Sequence, residues 1–412
     1  MVLKLLAVHP AVTAATVLLF YCGLFTQLNL LMQTEGTLGG SLAPTSFNSS
    51  ADFCSALNAV QRQDGYASDA VTLVTQGSLD HVFHLELTAR RWQGPISVAI
   101  FVPVRSAVRQ VTEMLMSFAG CHSQISSKVS FHLLFPREDA ANCTLAPTPV
   151  RPLTEDVCAA AVQRLKKKSG RLSINRMLYP VNAARNLARL GSATEYELVA
   201  DIELVPSPNF AYDIAKFLVK RPLQQLEVLV APVFEVVKSE RLPSTTADLR
   251  NLMDSGLATN FHKYRAYECH RIPQIKKWWQ NDLDDTLKIV VTTKWLAPCW
   301  EPVFVARSHS SPSYDERFRG YGKNKIQQVY EMCRADYSFH VVSRVFLTHK
   351  DISRLTNEQW LRIRQTVMKN NELFKKFRRE LDSRYTNRNT TRYCDQVYIQ
   401  TAVKKLAGYR SR

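Results

Sequence analysis

Short β-branched runs alternate with helical stretches between residues 70 and 135. Strands are predicted at 70–76, 96–103 and 129–135, and helices at 78–91 and 106–119. Strands separated by helices of about ten to fifteen residues are typical of a parallel sheet covered by helices. The chain is therefore predicted to have an α/β fold.

The second half of the chain continues this pattern with longer connections. Its predicted elements are strands at 196–200, 227–236, 289–293, 303–306 and 339–347, and a long basic helix at 357–381. Because these connections are less regular, we expect a mixed sheet rather than a purely parallel one. We expect the first half to bind a nucleotide and the second half to bind an acceptor.

The N-terminal segment is strongly apolar. Residues 11–32 contain no Asp, Glu, Lys or Arg, and a helix of that length rises about 33 Å, enough to cross a bilayer core of about 30 Å. A cleaved signal peptide is the alternative, but its apolar region is usually shorter. With Lys4 before the segment and Glu35 after it, we expect a cytosolic tail at 1–10, a transmembrane anchor at 11–32 and a luminal body. Residues 33–67 are predicted to form a luminal stem, and residues 68–412 the folded domain.

The cysteines and glycosylation sequons also indicate a secretory lumen. Of nine cysteines, eight lie after the apolar segment, and none forms a C-x-x-C pair. This spacing is more typical of structural disulfides than of a zinc site. Acceptor sequons begin at Asn48, Asn142 and Asn389.

The net charge of +17 has two interpretations. Nucleic-acid binding is one of them, but most of the basic residues are scattered, and a luminal protein does not meet genomic DNA. Anionic substrates, such as a nucleotide sugar or an acidic glycan, explain the charge equally well. We therefore expect no nucleic-acid partner.

Two carboxylates follow the strand predicted at 196–200. Asp201 and Glu203 flank Ile202, and in an α/β sheet ligands bind beyond the carboxyl ends of strands. Paired oxygen ligands suit a divalent cation that bridges to a diphosphate. His349, after the last predicted strand, is a candidate third ligand. The alternatives are an ordinary polar strand end and a surface histidine.

The helix before Asp201 carries the candidate donor-binding residues. Asn182, Arg185 and Arg189 are spaced to lie near one helical face, and that face, with neighbouring Asn186, could contact uridine, ribose or phosphate. The alternative is a solvated helix, above all for Arg189. Thr75, on the first predicted strand, is assigned to the same donor site.

Two aromatic and acidic segments follow, Trp300–Ala306 and Tyr314–Lys325. Aromatic faces stack on sugar rings, carboxylates bind hydroxyls or accept a proton, and glycines allow close backbone approach. These segments are the candidate acceptor site.

These motifs together resemble glycosyltransferase family 49, which includes a β-1,4-glucuronyltransferase and the second catalytic domain of the LARGE proteins. The resemblance runs from about Leu73 to about Arg384. It implies a GT-A-like fold and inverting transfer of glucuronate from UDP-glucuronate to a xylose-terminated O-glycan, an O-mannosyl glycan of the dystroglycan type. It also implies Mn²⁺ and residence in the Golgi membrane as a single-pass type II protein. By position, Asp201 and Glu203 match the D-x-D metal motif, and His349 matches a later metal histidine.

The resemblance also implies a catalytic base, for which the sequence offers several candidates. An inverting enzyme needs a base for the acceptor hydroxyl, and the candidates are Asp315, Glu301 and Glu316, with Asp315 favoured. Alternatively, Asp315 pairs with Arg317 or Arg319. The chain departs from the family pattern at Glu203, where aspartate is expected, and at 297–299. These departures leave two other hypotheses open, namely another UDP-sugar donor and a non-catalytic luminal glycan-binding protein.

Overall fold

The computed structural model describes residues 52–138, 143, 148–172, 178–280 and 286–409. The predicted cytosolic tail (1–10) and anchor (11–32) lie outside these residues, as does most of the predicted stem. Among the residues that are described, no helix has both the length and the apolar character needed to cross a membrane.

Strands and helices alternate along the first half of the described chain. The strands are β1 (Phe53–Gln61), β2 (Val71–Ser78), β3 (Ile96–Phe101), β4 (Val129–Pro136), β5 (Thr148–Pro149), β6 (Tyr196–Val199) and β7 (Leu204–Pro206). The helices are α1 (His84–Arg91), α2 (Val108–Cys121), α3 (Ser123–Lys128), α4 (Glu155–Leu172), α5 (Val181–Leu190) and α6 (Phe210–Lys220). Short 3₁₀ turns span Leu79–His81 and Arg105–Ala107.

The second half adds shorter strands and two long C-terminal helices. The strands are β8 (Glu227–Ala231), β9 (Val233–Val236), β10 (Ala258–Asn260), β11 (Ile289–Thr293), β12 (Val303–Arg307), β13 (Ser338–Val342) and β14 (Leu347–Lys350). The helices are α7 (Thr246–Asp254), α8 (Tyr267–His270), α9 (Ile275–Gln280), α10 (Ile326–Arg334), α11 (Asn357–Arg384) and α12 (Arg388–Tyr409).

The larger sheet is mixed, as predicted. Its strand order is β11-β13-β8-β12-β6-β2-β3-β4-β1-β5. Strands β6, β2, β3 and β4 run parallel, which confirms the parallel sheet expected for the first half. Strand β12 is antiparallel to both β6 and β8, and β11 to β13. The antiparallel strands of the second half make the sheet mixed.

A smaller sheet of order β10-β9-β14-β7 corrects two sequence predictions. The single strand predicted at 227–236 is two strands that lie in different sheets and are separated by Pro232, which has no backbone N–H to donate. The strand predicted at 339–347 is likewise divided into β13 and β14, because Arg344 between them has a left-handed backbone with φ of 66°. Most residues of both runs are apolar, because each half of a run is largely buried in its own sheet.

The stem predicted at 33–67 does not extend to residue 67. Residues 53–61 form β1, which pairs antiparallel with β4 at the side of the larger sheet. A disulfide between Cys54 and Cys143 ties β1 further into the domain. The strand was hidden in sequence because it follows directly on a segment rich in Gly, Ser and Thr.

The eight cysteines form four disulfides, as expected. The pairs are Cys54–Cys143, Cys121–Cys158, Cys269–Cys299 and Cys333–Cys394. Buried apolar side chains pack on the sheets, and in the second half they include the fully buried Trp278, Trp295 and Trp300. The predicted long basic helix is confirmed as α11, whose Phe374, Phe377 and Leu381 pack into this core.

Candidate active site

The candidate site lies where the parallel strands β2 and β6 end side by side. Strand β6 leads into Asp201 and Glu203, and β2 leads into the 3₁₀ turn Leu79–His81. Strand β14 of the smaller sheet brings in His349, which is aligned with Leu204 of β7. The carboxyl end of β6 thus supplies the two predicted carboxylates, and β14 brings the predicted histidine next to Glu203.

Two cations hold the carboxylate of Asp201. Arg185 donates to Asp201 Oδ1 at 3.1 Å, and Lys325 Nζ donates to Oδ2 at 2.7 Å. Burial disfavours the ionised carboxyl, but Lys325 and Arg185 outweigh that effect, so the pKa of Asp201 lies far below its usual value. Asp201 is therefore an anion whose present partners are basic side chains.

Glu203 lies between two imidazoles. His81 Nε2 is 3.5 Å from Oε1 of Glu203, and His349 Nε2 is 3.7 Å from Oε2. Hydrogen bonding to His349 and His81 lowers the pKa of Glu203, and the same contact with Glu203 raises the pKa of His81. His349 Nδ1 lies 2.8 Å from the carbonyl of Asp351, which fixes the orientation of the ring. The Glu203 side chain is 43% exposed and remains open to a ligand.

These donor atoms fit a cation that is completed by substrate. Across the described residues, no group of three or more His, Cys, Asp or Glu side chains is close enough to hold a metal ion alone. Two ligands of one cation at about 2.1 Å lie about 3–4 Å apart, which is the spacing of Glu203 and His349. Catalytic divalent ions of this kind often take few protein ligands and several phosphate or water oxygens. Carboxylate and imidazole are suitable ligands for Mn²⁺.

Helix α5 binds the segment that starts at Tyr314. The Asn182 amide donates to the carbonyl of Asp315 at 2.8 Å. The Asn186 amide donates to the Tyr314 carbonyl at 2.8 Å and to Glu316 Oε1 at 3.0 Å, and the Tyr314 N–H donates back to Asn186. Three residues of this helix were predicted to contact the donor. Arg185 contacts Asp201, whereas Asn182 and Asn186 hold the segment Tyr314–Glu316 in place.

Arg189 has a structural role that neither sequence hypothesis anticipated. It is 4% exposed, so it is not on a solvated face. Its Nε donates to Glu197 Oε1 at 2.7 Å, and its other nitrogens donate to the carbonyls of Ser311 and Pro312. Burial opposes the charge of Arg189, but the Glu197 carboxylate outweighs burial and raises the pKa of Arg189.

The three candidate bases differ in their partners. Arg317 Nε donates to both oxygens of Asp315 at 3.0 Å, and Arg317 also pairs with Glu380. The alternative in which Asp315 pairs with Arg317 is therefore the arrangement that the structure shows. Glu316 accepts from Asn186.

Glu301 is the third candidate, and its carboxylate has neither a hydrogen bond nor an ion pair within the described part of the chain. Burial raises the pKa of Glu301, although Lys325 and Arg185 partly oppose this effect. These same cations flank Asp201, which places Glu301 beside the candidate site. Thr75, the remaining predicted residue, lies buried on β2, and its hydroxyl has no hydrogen-bond partner among the described residues.

A small, partly open cleft lies beside Glu301. Its polar lining residues are His270, Arg271 and Glu301, and its apolar lining residues are Val230, Ala231, Pro232, Val233, Phe261, Ile272, Pro273, Trp300, Pro302 and Val303. The rings of His270 and His262 make a T-shaped contact, with 4.6 Å between their centroids. Burial lowers the pKa of His270 to about 3, so the imidazole at the cleft is neutral at pH 7.

Three residues of the site were not singled out from the sequence. They are His81, Lys325 and His270. His81 and Lys325 belong to turns whose partners, Glu203 and Asp201, are distant in the chain, and His270 ends the short helix α8. His81 follows β2 just as Asp201 follows β6. Its position after a predicted parallel strand could therefore have identified it as a site residue from the sequence. Lys325 was included in a predicted acceptor segment but contacts the predicted donor carboxylate instead.

Comparison with known proteins decides the family. A family model described as "Glycosyl-transferase for dystroglycan" matches residues 70–386. The chain belongs to this family of glycosyltransferases. The match includes Asp201, Glu203, Glu301 and His349, and it ends near the C-terminus of α11. The resemblance inferred from the sequence motifs is thereby confirmed.

Individual members of the family show the same relationship. Beta-1,4-glucuronyltransferase 1 of Danio rerio is 32% identical over 334 residues, which cover 77% of this chain and 74% of the relative. The Homo sapiens protein of that name is 29% identical, with 77% and 76% covered. Xylosyl- and glucuronyltransferase LARGE2 of Mus musculus is 26% identical, covering 76% of this chain and 39% of the longer relative.

Solved structures overlap the chain less closely. S. aureus TarS 1-349 in complex with UDP has a TM-score of 0.32 and 11% identity, covering 72% of this chain and 64% of TarS. A TM-score this low does not establish a common fold. The assignment to the glycosyltransferase family therefore depends on the sequence matches.

Proposed function

We propose that this glycosyltransferase transfers glucuronate, with inversion, from UDP-glucuronate to a xylose-terminated O-glycan, and that the transfer depends on Mn²⁺. The relatives named for glucuronyl transfer support the donor, and an O-mannosyl glycan of the dystroglycan type is the expected acceptor. The observation that carries the proposal is that the Asp201–Glu203 cluster lies near Glu301, whose carboxylate has no hydrogen bond or ion pair among the described residues.

The donor diphosphate would bind between the cluster and two cations. Arg185 and Lys325 hold Asp201 in the structure and are placed to share the diphosphate charge. Glu203 and His349 would hold Mn²⁺, and Asp201, which Arg185 and Lys325 keep ionised, would be a further oxygen ligand. When bound, the ion stabilises the charge that develops on the departing UDP.

Within this proposal, Glu301 acts as the base. In the transfer, Glu301 accepts the proton of the acceptor hydroxyl while that oxygen bonds to C1 of the sugar. The bond from C1 to the phosphate oxygen breaks, and UDP leaves with its electron pair. A carboxylate with a raised pKa and no competing partner is suited to this step. Asp315 is less suited, because its oxygens already bind Arg317.

A donor panel tests the proposal. UDP release is measured from UDP-glucuronate, UDP-xylose and UDP-N-acetylhexosamines, with and without Mn²⁺, for the full chain and for Asp201→Asn. We expect Mn²⁺-dependent release from UDP-glucuronate that Asp201→Asn abolishes. If only UDP-xylose is consumed, the donor is UDP-xylose and not UDP-glucuronate. If no sugar is consumed and Asp201→Asn changes nothing, a glycan-binding role without catalysis is the better hypothesis.

Two isosteric variants test the base. Glu301→Gln removes the proton acceptor and should lower kcat by about 10²–10⁴-fold. Asp315→Asn is the matched control, because it removes a carboxylate whose contact is Arg317 rather than substrate. The assignment fails if Asp315→Asn abolishes transfer while Glu301→Gln preserves it.

We also propose that the protein acts in the Golgi lumen as a single-pass type II membrane protein. The four disulfides support an oxidising compartment. The apolar residues 11–32 support the membrane anchor.

A further inference from the structure

We propose that His81 is a positioning residue for the metal site: it holds one oxygen of Glu203, so that the other oxygen faces the cation together with His349. This inference rests on the proposed function, since it concerns the Mn²⁺ on which the transfer depends. It goes further by giving a role to the turn after β2, and by accounting for a glutamate at the position where the family pattern has aspartate.

Each carboxylate oxygen of Glu203 faces a different imidazole. His81 Nε2 is 3.5 Å from Oε1, and His349 Nε2 is 3.7 Å from Oε2. The Asp351 carbonyl at Nδ1 of His349 can only accept a hydrogen bond, so this nitrogen carries the proton and Nε2 is left free to bind a cation. His349 and Oε2 are therefore the natural metal-binding pair, and Oε1 is the oxygen that His81 can hold.

The ring of His81 is held at its other nitrogen. Its Nδ1 lies 3.0 Å from Ser78 Oγ and 3.2 Å from Asp80 Oδ1. The Ser78 hydroxyl donates to the same Asp80 oxygen. Asp80 and Glu203 thus lie at the two different nitrogens of one imidazole, an arrangement in which both nitrogens can donate to a carboxylate. The contacts at Nδ1 limit rotation of the ring and direct Nε2 towards Glu203.

The turn that carries His81 lies close to the segment that carries Glu203. Strands β2 and β6 are parallel neighbours, so both segments leave the sheet at the same edge. Gly77 of β2 lies between them, because a Cβ at this position would be 3.3 Å from Ile202 and 3.4 Å from His81 Cβ. The absence of a side chain at Gly77 allows this close approach. The backbone therefore places His81 and Glu203 near each other before any cation binds.

A glutamate benefits from such a contact more than an aspartate would. Its side chain has one more rotatable bond, so it loses more rotamer freedom when it binds a cation. The Glu203 side chain is also 43% exposed, and neighbouring atoms restrict it only in part. A partner that fixes the carboxylate in advance reduces the entropy lost on binding. His81 supplies that partner at Oε1.

A double-mutant cycle tests whether His81 acts through Glu203. Its four proteins are the unchanged full chain, His81→Leu, Glu203→Asp and the double variant. In Glu203→Asp the carboxylate is drawn back by one carbon–carbon bond, about 1.5 Å, which takes it out of contact with His81. The Kd for Mn²⁺ is measured by electron paramagnetic resonance, with and without UDP. Thermal unfolding without metal shows whether each variant is folded.

Three further single variants complete the experiment. His84→Leu is the matched control, because it removes an exposed imidazole that stacks on His81, with 6.0 Å between ring centroids. Among the described residues, His84 makes no ion pair with Glu203. His81→Gln keeps an N–H donor on a side chain of similar length and tests for rescue. His81→Asn, which is too short to reach Glu203, replaces His81→Leu if that variant does not fold.

We expect His81→Leu to weaken Mn²⁺ binding by about 10–100-fold, the usual effect of removing a residue that orients a metal ligand. His81→Gln should recover most of the affinity, and His84→Leu should match the unchanged chain. In the Glu203→Asp background, loss of His81 should change the Kd little, because the two residues are no longer coupled.

Three results would overturn the inference alone, provided that the unchanged chain binds Mn²⁺. They are an unchanged Kd in His81→Leu, an equal loss in His84→Leu, and an equal loss from His81→Leu in the Glu203 and Glu203→Asp backgrounds. The last result would mean that His81 acts on the cation without Glu203. If the unchanged chain binds no Mn²⁺ even with UDP, the metal dependence of the proposed function is wrong, and the role of His81 falls with it.

Discussion

Replacing Arg189 separates a structural role for helix α5 from a donor-binding role. The Arg189–Glu197 pair is almost fully buried, with side chains 5% and 1% exposed. In Arg189→Met, the packing volume is largely kept but Glu197 loses its cation. The second carboxylate oxygen of Glu197 already has no hydrogen-bond partner among the described residues. The variant would therefore leave a buried charge with no compensation.

The expected cost follows from this geometry. Breaking a buried ion pair by removing one partner typically costs about 3–5 kcal/mol. The loss of three further hydrogen bonds from Arg189 to Ser311 and Pro312 places the expected value in the upper part of that range. A typical domain has a free energy of unfolding of only about 5–15 kcal/mol. Arg189→Met should thus be far less stable than the unchanged protein.

Arg185→Met is the matched comparison, because Arg185 is one helical turn away and equally buried but contacts Asp201. The free energy of unfolding is measured by urea denaturation, and the Kd for UDP is measured by calorimetry under conditions where each variant is folded. Arg189→Met should keep its UDP affinity, whereas Arg185→Met should lose about tenfold or more, the value of a charge-assisted hydrogen bond.

Two results would refute this reasoning. If Arg189→Met is as stable as the unchanged protein, the buried pair with Glu197 does not stabilise the fold. If the folded Arg189→Met protein loses UDP affinity as strongly as Arg185→Met, Arg189 contributes to the donor site after all.

Three further predictions concern the base, one disulfide and the luminal orientation of the domain. Burial raises the pKa of Glu301 above its ordinary value of 4.5, so kcat/KM should begin to fall at a pH above 4.5 as the carboxylate is protonated. A pH–rate profile checks this, and the fall at low pH should be absent in Glu301→Gln. The Cys269–Cys299 disulfide closes a loop of 30 residues, so replacing both cysteines by alanine should lower the free energy of unfolding by about 3–4 kcal/mol. Urea denaturation checks this, and an unchanged value would contradict a stabilising role for the bond. Asn389 is exposed at the start of α12, so we expect it to be glycosylated in the lumen. N-glycosidase treatment of protein from secretory cells should therefore increase gel mobility less for Asn389→Gln than for the unchanged chain. An identical change in mobility would contradict modification of this residue.

Periodicity and strand ends were enough to predict the parallel strands and the position of Asp201 and Glu203. These predictions succeed because they depend on local order, with one apolar strand followed directly by polar residues. The split runs at 227–236 and 339–347 could not be recognised from local order. Each half of these runs is buried, and which sheet it joins is decided by partner strands far away in sequence.

Side-chain partners were harder to predict than side-chain positions. Helical spacing correctly placed Arg185 and Arg189 near one another, but it could not show that one would reach Asp201 and the other Glu197. Asp315 and Glu301 both follow aromatic residues, but Asp315 binds Arg317, whereas Glu301 has no ion pair among the described residues. Such differences are properties of the tertiary structure, because they depend on loops that the sheets bring together.

Identifying the product of a single reaction tests the proposed function most directly. UDP-glucuronate and an aryl β-xyloside are incubated with the full chain and Mn²⁺, and the product is analysed by mass spectrometry and NMR. The account predicts one added glucuronate in the β-configuration, absent with Asp201→Asn and strongly reduced with Glu301→Gln. A product in the α-configuration, a different transferred sugar, or undiminished product from Glu301→Gln would contradict it.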